Sequence, residues 1–138
     1  MLAAFVLQAQ PQLVLTGVGR WAVFADAASV IREGDVARMR SLQVAEADFM
    51  AGSKTYWGGW SWWRFDCAAR TGQRLDFASV AVGGAEGPAT PLTGPAEPLA
   101  PGGDAAELAD VACAADAPAA DAVSVEAAVA LGRSRLAD

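Results

Sequence analysis

Histidine is absent from this chain of 138 residues, and cysteine occurs only twice. Histidine is the commonest general base, the usual base of a catalytic triad and the commonest metal ligand in proteins. Two cysteines are also too few to form a four-ligand zinc site by themselves. These shortages exclude histidine-dependent catalysis and the usual zinc centres. We therefore expect a protein that is not an enzyme and that holds no metal and no cofactor.

The sequence also lacks a long apolar run and a basic region. No run approaches the roughly 20 apolar residues of a membrane-spanning helix. The net charge is −6 and is unevenly spread, because residues 1–80 hold eight Lys and Arg against seven Asp and Glu, whereas residues 81–138 hold two against nine. A protein that binds phosphate backbones needs a basic footprint. We expect neither a membrane span nor a nucleic-acid partner.

Cys67 and Cys113 are far apart and do not form a CxxC motif. A structural disulfide is the simplest interpretation, and closing such a loop would stabilise the fold by roughly 3–4 kcal/mol. It would also indicate an oxidising compartment, with the protein secreted, periplasmic or at the cell surface. Two buried free thiols in a cytosolic protein are the alternative.

The first residues, MLAAFVLQAQPQ, bear on the same question. A short apolar run followed by small and polar residues is typical of the end of a signal peptide, although a basic n-region is missing. The segment 1–18 is therefore interpreted either as a truncated signal peptide or as an ordinary N-terminal strand.

The chain that follows has the alternation and the turn signals of antiparallel strands. We predict a strand at 21–25, a second β-rich run that starts at Val30 and Ile31, and further strands at 36–44, 56–67 and 75–82. Turns are expected at 26–29, at 33–35 and around Gly72, and a loop or short helical turn at 45–55. The segment 83–103 holds five of the seven prolines, which indicates an irregular strap with at most a short edge strand.

One helix is expected directly after the strap, and the Ala-rich segment that follows it is left open. Residues 104–113 begin with Asp and are acidic early, which favours a short helix that ends at Cys113. Residues 114–138 are rich in Ala and predict either a weak helix or a frayed tail. The fold class is thus α+β: an antiparallel β-meander of about five to six strands, with a C-terminal helix joined to the sheet by the disulfide. The domain proper would span 19–113, between the N-terminal segment and the Ala-rich tail.

The most unusual stretch is YWGGWSWWRFDC, residues 56–67. Because successive side chains of a strand face opposite sides, strict alternation gives two sets. One set contains Trp57, Trp63, Phe65 and Cys67, and if Cys67 bonds a helix that covers this face, Trp63 and Phe65 are expected to be core beneath that helix. The other contains Tyr56, Trp60, Trp62, Arg64 and Asp66. Gly58 and Gly59 predict a bulge or a close backbone approach.

The second set suggests a recognition surface. Trp60 and Trp62 beside Arg64 have the composition of a binding hot spot, and Arg38 and Arg40 of the neighbouring strand would extend it. Such a face suits an extracellular protein, a glycan or a second copy of the chain in a homodimer. In the alternative interpretation, Trp60 and Trp62 pack beneath the strap or the tail helix.

Asp66 and Asp76 could face each other across the predicted hairpin and form a carboxylate pair. Exposed acids in a hairpin more often serve solubility, and we favour that interpretation over catalysis.

Several of these residues resemble a known pattern: an early Trp, Asp and Ser-Val before Gly, then Asp-Cys closing a strand, Arg in the next turn, and Pro-Gly before a final Cys. They are Trp21, Asp26, Ser29, Val30, Gly34, Asp66, Cys67, Arg70, Pro101, Gly102 and Cys113. Over residues 19–113 the chain thereby resembles the surface-adhesin protein E family. The resemblance implies a small secreted domain, an antiparallel sheet with a disulfide-joined helix, and adhesion to host matrix and serum proteins. Leu99 stands where relatives often have Trp, and the chain shows no lipobox.

From the residues and the resemblance together we expect a non-enzymatic, extracytoplasmic binding module. It would bind a protein or glycan through the Trp- and Arg-rich sheet face. The alternative is a structural or self-associating protein of the cell envelope that has no host ligand.

Overall fold

The computed structural model describes residues 10–138, which form one antiparallel sheet with two helices. The eight strands and two helices of this part of the chain are β1 Leu13–Val18, β2 Ala22–Glu33, β3 Val36–Ala51, β4 Lys54–Asp66, β5 Thr71–Arg74, β6 Asp76–Ala81, β7 Thr90–Pro91, β8 Glu97–Pro98, α1 Asp104–Ala112 and α2 Val125–Leu136.

The first four strands form the predicted meander, in the order β1-β2-β3-β4. The far edge of β4 is shared, since β5 pairs with one end of it and β6 with the other. The two-residue strands β8 and β7 then pair with β5 and β6. The prediction of five to six strands was too low, because β1 also joins the sheet, β5 and β6 are separate strands, and the strap adds two short edge strands.

Both edges of the sheet are blocked. At one edge, the segment before α2 crosses β1, where the Leu13 backbone N–H donates to Ala122 O at 2.8 Å and that of Leu15 donates to the Asp121 carboxylate at 2.7 Å. At the other edge, β7 and β8 each end on a proline. Proline and short strands are common protections against edge-to-edge pairing.

The expected turn at 26–29 is instead a bulge within β2. The pairing with β3 shifts between Asp26 and Ile31, and the buried Asp26 carboxylate accepts hydrogen bonds from the backbone N–H of Gln12 and of Ala28. The Ser29 hydroxyl donates to Asp26 O and accepts from the Arg40 N–H at 2.8 Å. Asp and Ser do bond nearby backbone here, as their presence predicts, but the strand continues past them.

Two other turn predictions were displaced. The segment 45–55 is not a loop, because β3 runs to Ala51 and turns into β4 at Gly52 and Ser53, with a second bulge between Val44 and Phe49. The turn placed around Gly72 lies at residues 67–70 instead, where the Asp66 carboxylate accepts from the N–H groups of Ala68 and Ala69.

The two helices lie on opposite faces of the sheet, and we name the faces after them. The α2 face has a core cluster formed by Leu13, Ala22, Phe24, Leu42, Val44, Trp60, Val80, Ala122, Ala128 and Val129. The α1 face has a second cluster formed by Val23, Ala25, Ala37, Met39, Phe65, Leu108, Ala109 and Ala112. On the central strands the α2 cluster uses Leu42, Val44 and Trp60, whereas the α1 cluster uses Ala37, Met39 and Phe65 nearer the other end. Each cluster therefore leaves the other part of its face open on β3 and β4.

The disulfide prediction is confirmed. Cys67 follows β4 and Cys113 ends α1, and the two are bonded with a Cα–Cα distance of 5.8 Å. The helix expected at 104–113 is α1, and the Ala-rich tail forms α2, begun by Ser124, whose hydroxyl accepts from the Ala127 N–H.

β1 lies inside the segment 1–18 that the sequence set apart as an N-terminal segment. Residues 1–9 of the signal-peptide prediction lie outside the described part of the chain. Within residues 10–138, neither helix is long and apolar enough to cross a membrane.

Candidate partner-binding face

The half of the α2 face that the helix leaves open carries four of the five residues predicted to bind a partner. Cross-strand pairing puts Arg38 opposite Arg64 and Arg40 opposite Trp62 on β3 and β4. Directly paired residues share a face, so these four side chains lie on one side of the sheet. We call Arg38, Arg40, Trp62 and Arg64 the Arg/Trp patch. Ile31 extends it on β2, where it pairs with Arg38 and is 51% exposed.

Trp60, the fifth predicted residue, is the floor of the patch. It is only 6% exposed and belongs to the core cluster beneath α2. The Arg40 guanidinium covers its ring, with Cζ 4.1 Å from the ring centroid, and lies 6.0 Å from that of Trp62. The sequence left open whether the two tryptophans are core or surface. The structure divides them, because Trp60 is core and Trp62 is only partly buried.

Arg40 is fixed in place from several sides. It forms an ion pair with Glu86, which lies on the segment after β6, and its Nε is buried without a hydrogen-bond partner. A guanidinium held over a tryptophan ring gains cation–π stabilisation. Arg40 therefore joins the buried Trp60 to the exposed part of the patch.

Arg38 and Arg64 differ from Arg40 because no described residue pairs with either of them in a salt bridge. They are nevertheless directly opposed across β3 and β4, with Arg38 exposed and Arg64 half-buried. Like charges in directly opposed positions of an antiparallel pair are destabilising. In a chain of net charge −6, this opposed pair is a local positive site that an anionic group from outside would neutralise.

The predicted assignment of residues 56–67 to two faces of the sheet was wrong for Tyr56 and Trp57. The β4–β6 pairing shifts between Tyr56 and Gly58, so that Trp57 packs on the α2 cluster. Tyr56 pairs with Phe49, whose ring contacts Trp21 on the opposite side of the sheet. The two-residue alternation holds only after this bulge, which the adjacent glycines did predict.

Close contacts require glycine at position 58, against backbone, and restrict position 59, against the ring of Phe77. A Cβ on Gly58 would lie 1.8 Å from Gln43 O, and one on Gly59 would lie 2.2 Å from Cε2 of Phe77. Beyond the bulge, Phe65 is buried and Trp63 packs against the α1 cluster, as predicted, with the two rings stacked at 5.7 Å.

A polar network on the α1 face was missed by the sequence interpretation. The Arg74 Nε donates to Ser61 Oγ at 2.8 Å, and its Nη2 donates to Gln43 Oε1 at 3.2 Å. The Trp63 Nε1 donates to Ser41 Oγ at 2.9 Å. Both serines are 1% exposed. One signal was visible: Ser41, Gln43 and Ser61 occupy inward positions of otherwise apolar or aromatic strands.

Burial lowers the pKa of the Arg74 guanidinium, and the charge of Asp76 partly opposes that shift. Desolvation disfavours the charged form of any ionisable group. Arg74 nevertheless remains charged at neutral pH, because arginine has a very high intrinsic pKa. It is a cation held in a partly desolvated position.

The two acids that might have formed a carboxylate pair do not meet. Asp66 pairs with Thr71 and caps its own turn, whereas Asp76 pairs with Pro91 and accepts the Trp62 N–H at 2.7 Å. Within residues 10–138 there is also no cluster of three or more Asp, Glu or Cys placed to hold a metal ion. The arrangement at the patch can bind charge and aromatic surface through arginine donors and an indole ring.

Fold and site together define the class of the protein, a disulfide-linked α+β domain with a mixed aromatic and cationic sheet face. Comparison of the chain with models of protein families, with curated proteins and with solved structures finds no match.

Proposed function

We propose that the protein is a non-enzymatic binding module of the surface-adhesin protein E type, which captures an acidic protein segment on the Arg/Trp patch. The observation that carries the proposal is the opposed Arg38–Arg64 pair, with which no described carboxylate forms a salt bridge, beside the partly exposed Trp62. Tryptophan and arginine are the residues most enriched in interface hot spots. The partner would supply carboxylates to the arginines and apolar contact to the indole.

The charge of the surroundings favours a protein segment over a sulfated glycan. Glu86 pairs with Arg40 at one border of the patch, and Glu33 and Asp66 lie along another. A uniform polyanion would meet these carboxylates and the net charge of −6. A peptide can place its few acids over Arg38 and Arg64 alone, because its charge is not continuous.

The blocked edges of the sheet point to the same face. Partners that add a strand to a sheet need a free edge, and here one edge is crossed by Asp121 and Ala122 while the other ends in short proline-containing strands. A partner can still bind through side chains on the open part of a sheet face, such as the Arg/Trp patch.

The proposed location is outside the cytoplasm: secreted, periplasmic or at the cell surface. The Cys67–Cys113 disulfide supports this location, since structural disulfides persist mainly in oxidising compartments.

The test is a binding assay on immobilised protein against a panel of purified matrix and serum proteins, with heparin as the polyanion. We expect at least one protein to bind, and the double variant R38Q/R64Q to weaken that binding at least tenfold. The matched control is R20Q/R135Q, which removes the same charge from exposed arginines outside the patch. Equal weakening by both variants would mean that only net charge matters, and binding of heparin alone would reassign the partner to a glycan.

The alternative, a self-associating envelope protein, is separated by sedimentation of the protein alone. A monomer whose mass is the same in wild type and R38Q/R64Q leaves the patch free for another molecule. A dimer that R38Q/R64Q dissociates would make the patch a self-association surface and overturn the proposal.

A further inference from the structure

The open half of the α1 face contains a groove centred on Arg74. One cavity of about 400 Å³ is lined by Arg74, Gln43 and the rings of Trp21, Phe49 and Phe77. A second, of about 330 Å³, lies on the other side of Arg74, beneath the strap residues Leu92 to Leu99. Arg74 is the only described residue that lines both cavities, and we call this pair of cavities the Arg74 groove.

The walls of the first cavity are flat and aromatic. Phe49 makes an edge contact with Trp21, with ring centroids 6.1 Å apart. Phe77 lies over the Gly59 backbone, 37% exposed, where a side chain on Gly59 would displace it. Ligand pockets of this size are typically lined by apolar rings with a few polar groups that fix orientation.

The charged group that lines this cavity, Arg74, has unused donors. Arginine has five N–H donors, and the bonds of Arg74 to Ser61 and Gln43 use two of them. It forms no salt bridge with a described residue; the charge of Asp76 acts on it from a longer distance, and the Asp76 carboxylate accepts the Trp62 N–H. The guanidinium is also held between the rings of Trp63 and Phe77, with Cζ 5.9 Å and 5.7 Å from their centroids. It is thus a fixed cation with free donors at the base of an aromatic cavity.

We propose that the Arg74 groove binds a small organic carboxylate with a flat, apolar body. The carboxylate accepts from the free guanidinium N–H groups, and the flat body lies among Trp21, Phe49 and Phe77. A charge-assisted hydrogen bond of this kind is stronger than one between neutral groups. The groove lies on the face opposite the Arg/Trp patch, so the proposal does not rest on the proposed function.

The test uses 2-naphthoate and its neutral isostere 2-naphthamide, each titrated into the wild-type protein and followed by calorimetry. We expect naphthoate to bind at least tenfold more tightly than the amide. This comparison needs no variant and therefore does not depend on how a mutant folds. Equal affinity for the two probes, or no heat from either at millimolar concentration, would overturn the proposal.

Variants then locate the site. We expect R74Q to abolish the preference for naphthoate and F77A to weaken both probes, while R70Q leaves both affinities unchanged. Arg70 is an exposed arginine that pairs with Asp110 away from the cavity, so R70Q controls for the loss of one charge. If R74Q unfolds the domain, F77A alone decides, and unchanged naphthoate binding in F77A would contradict the placement.

Discussion

Trp60 and Trp62 are two residues apart on β4 and share a face, yet their surroundings differ because α2 reaches only one of them. Trp60 packs on the core cluster that contains Phe24, Leu42 and Val80, and Arg40 covers its ring. Trp62 lies one cross-strand pair further from the helix, opposite Arg40. The same residue type thus serves the core at one position and the surface at the next.

We expect Trp60→Ala and Trp62→Ala to have unequal effects on stability. Removing a fully buried large aromatic side chain costs about 3–5 kcal/mol, because it leaves a cavity in addition to the lost transfer free energy. Trp62→Ala should cost about 1 kcal/mol, since its side chain is only partly buried. The measurement is urea denaturation of both variants. Equal losses would show that Trp62 is also core, and the patch would then lose its aromatic contact.

At the scale of elements, the sequence predicted most of the strands from their alternation and α1 from its acidic start, and it left the segment that forms α2 open between a weak helix and a frayed tail. It predicted less well where the pattern is interrupted within a strand. Asp26 and Ser29 make the side-chain hydrogen bonds to nearby backbone that are typical of a turn. The hydrogen bond from the Arg40 N–H to the Ser29 hydroxyl nevertheless keeps β2 paired with β3. A bulge and a turn use the same side-chain bonds, so local sequence does not separate them.

The faces of the candidate site were predicted correctly only where no bulge interrupts the strands. Alternation correctly puts Arg38, Arg40, Trp62 and Arg64 on one face, because no bulge interrupts β3 and β4 between them. Alternation assigns Tyr56 and Trp57 to the wrong faces, because the register shift between Tyr56 and Gly58 reverses which side of the sheet each residue faces. How far α2 would extend over that face depends on tertiary packing, so the sequence alone left the burial of Trp60 open.

The packing of α2 depends on Gly132, which is buried against the sheet. A Cβ at this position would lie 2.8 Å from the Ala22 Cβ and 3.2 Å from Cε2 of Phe24. Gly→Ala in a helix interior gains up to about 1 kcal/mol from helix propensity, whereas overpacking a core costs about 1–3 kcal/mol. Both contacts are to fully buried residues of β2, so the packing cost should exceed the propensity gain.

We therefore expect Gly132→Ala to lower the free energy of unfolding by about 1 kcal/mol, measured by chemical denaturation. The control is Ser134→Ala, an exposed position of the same helix, where propensity alone applies and a gain of a few tenths of a kcal/mol is expected. A stabilised Gly132→Ala would show that α2 can move away from β2 at little cost, and that its close packing is not required.

At the scale of the whole molecule, the two helices are attached to the sheet by different means. α2 is held by apolar packing and by Arg133, which donates to Ala45 O at 3.1 Å and pairs with Asp48 at 2.8 Å. α1 has nine residues, and its buried side chains are three alanines and one leucine. Isolated helices shorter than about 12–15 residues are marginal in water, so α1 depends more on its covalent link to the end of β4.

We expect the double variant C67A/C113A to lose about 4 kcal/mol of stability, because the disulfide closes a loop with a sequence separation of 46. Typical domains have 5–15 kcal/mol in total, so the protein should still fold. The loss should be uneven. Amide hydrogen exchange in α1 should become faster than global unfolding accounts for, while the amides of α2 should exchange only through global unfolding. Wild type under reducing conditions provides the comparison without mutation. If α1 and α2 lose protection together in both samples, the disulfide stabilises the whole domain as a single cooperative unit. The stability of α1 would then depend on the disulfide no more than that of α2 does.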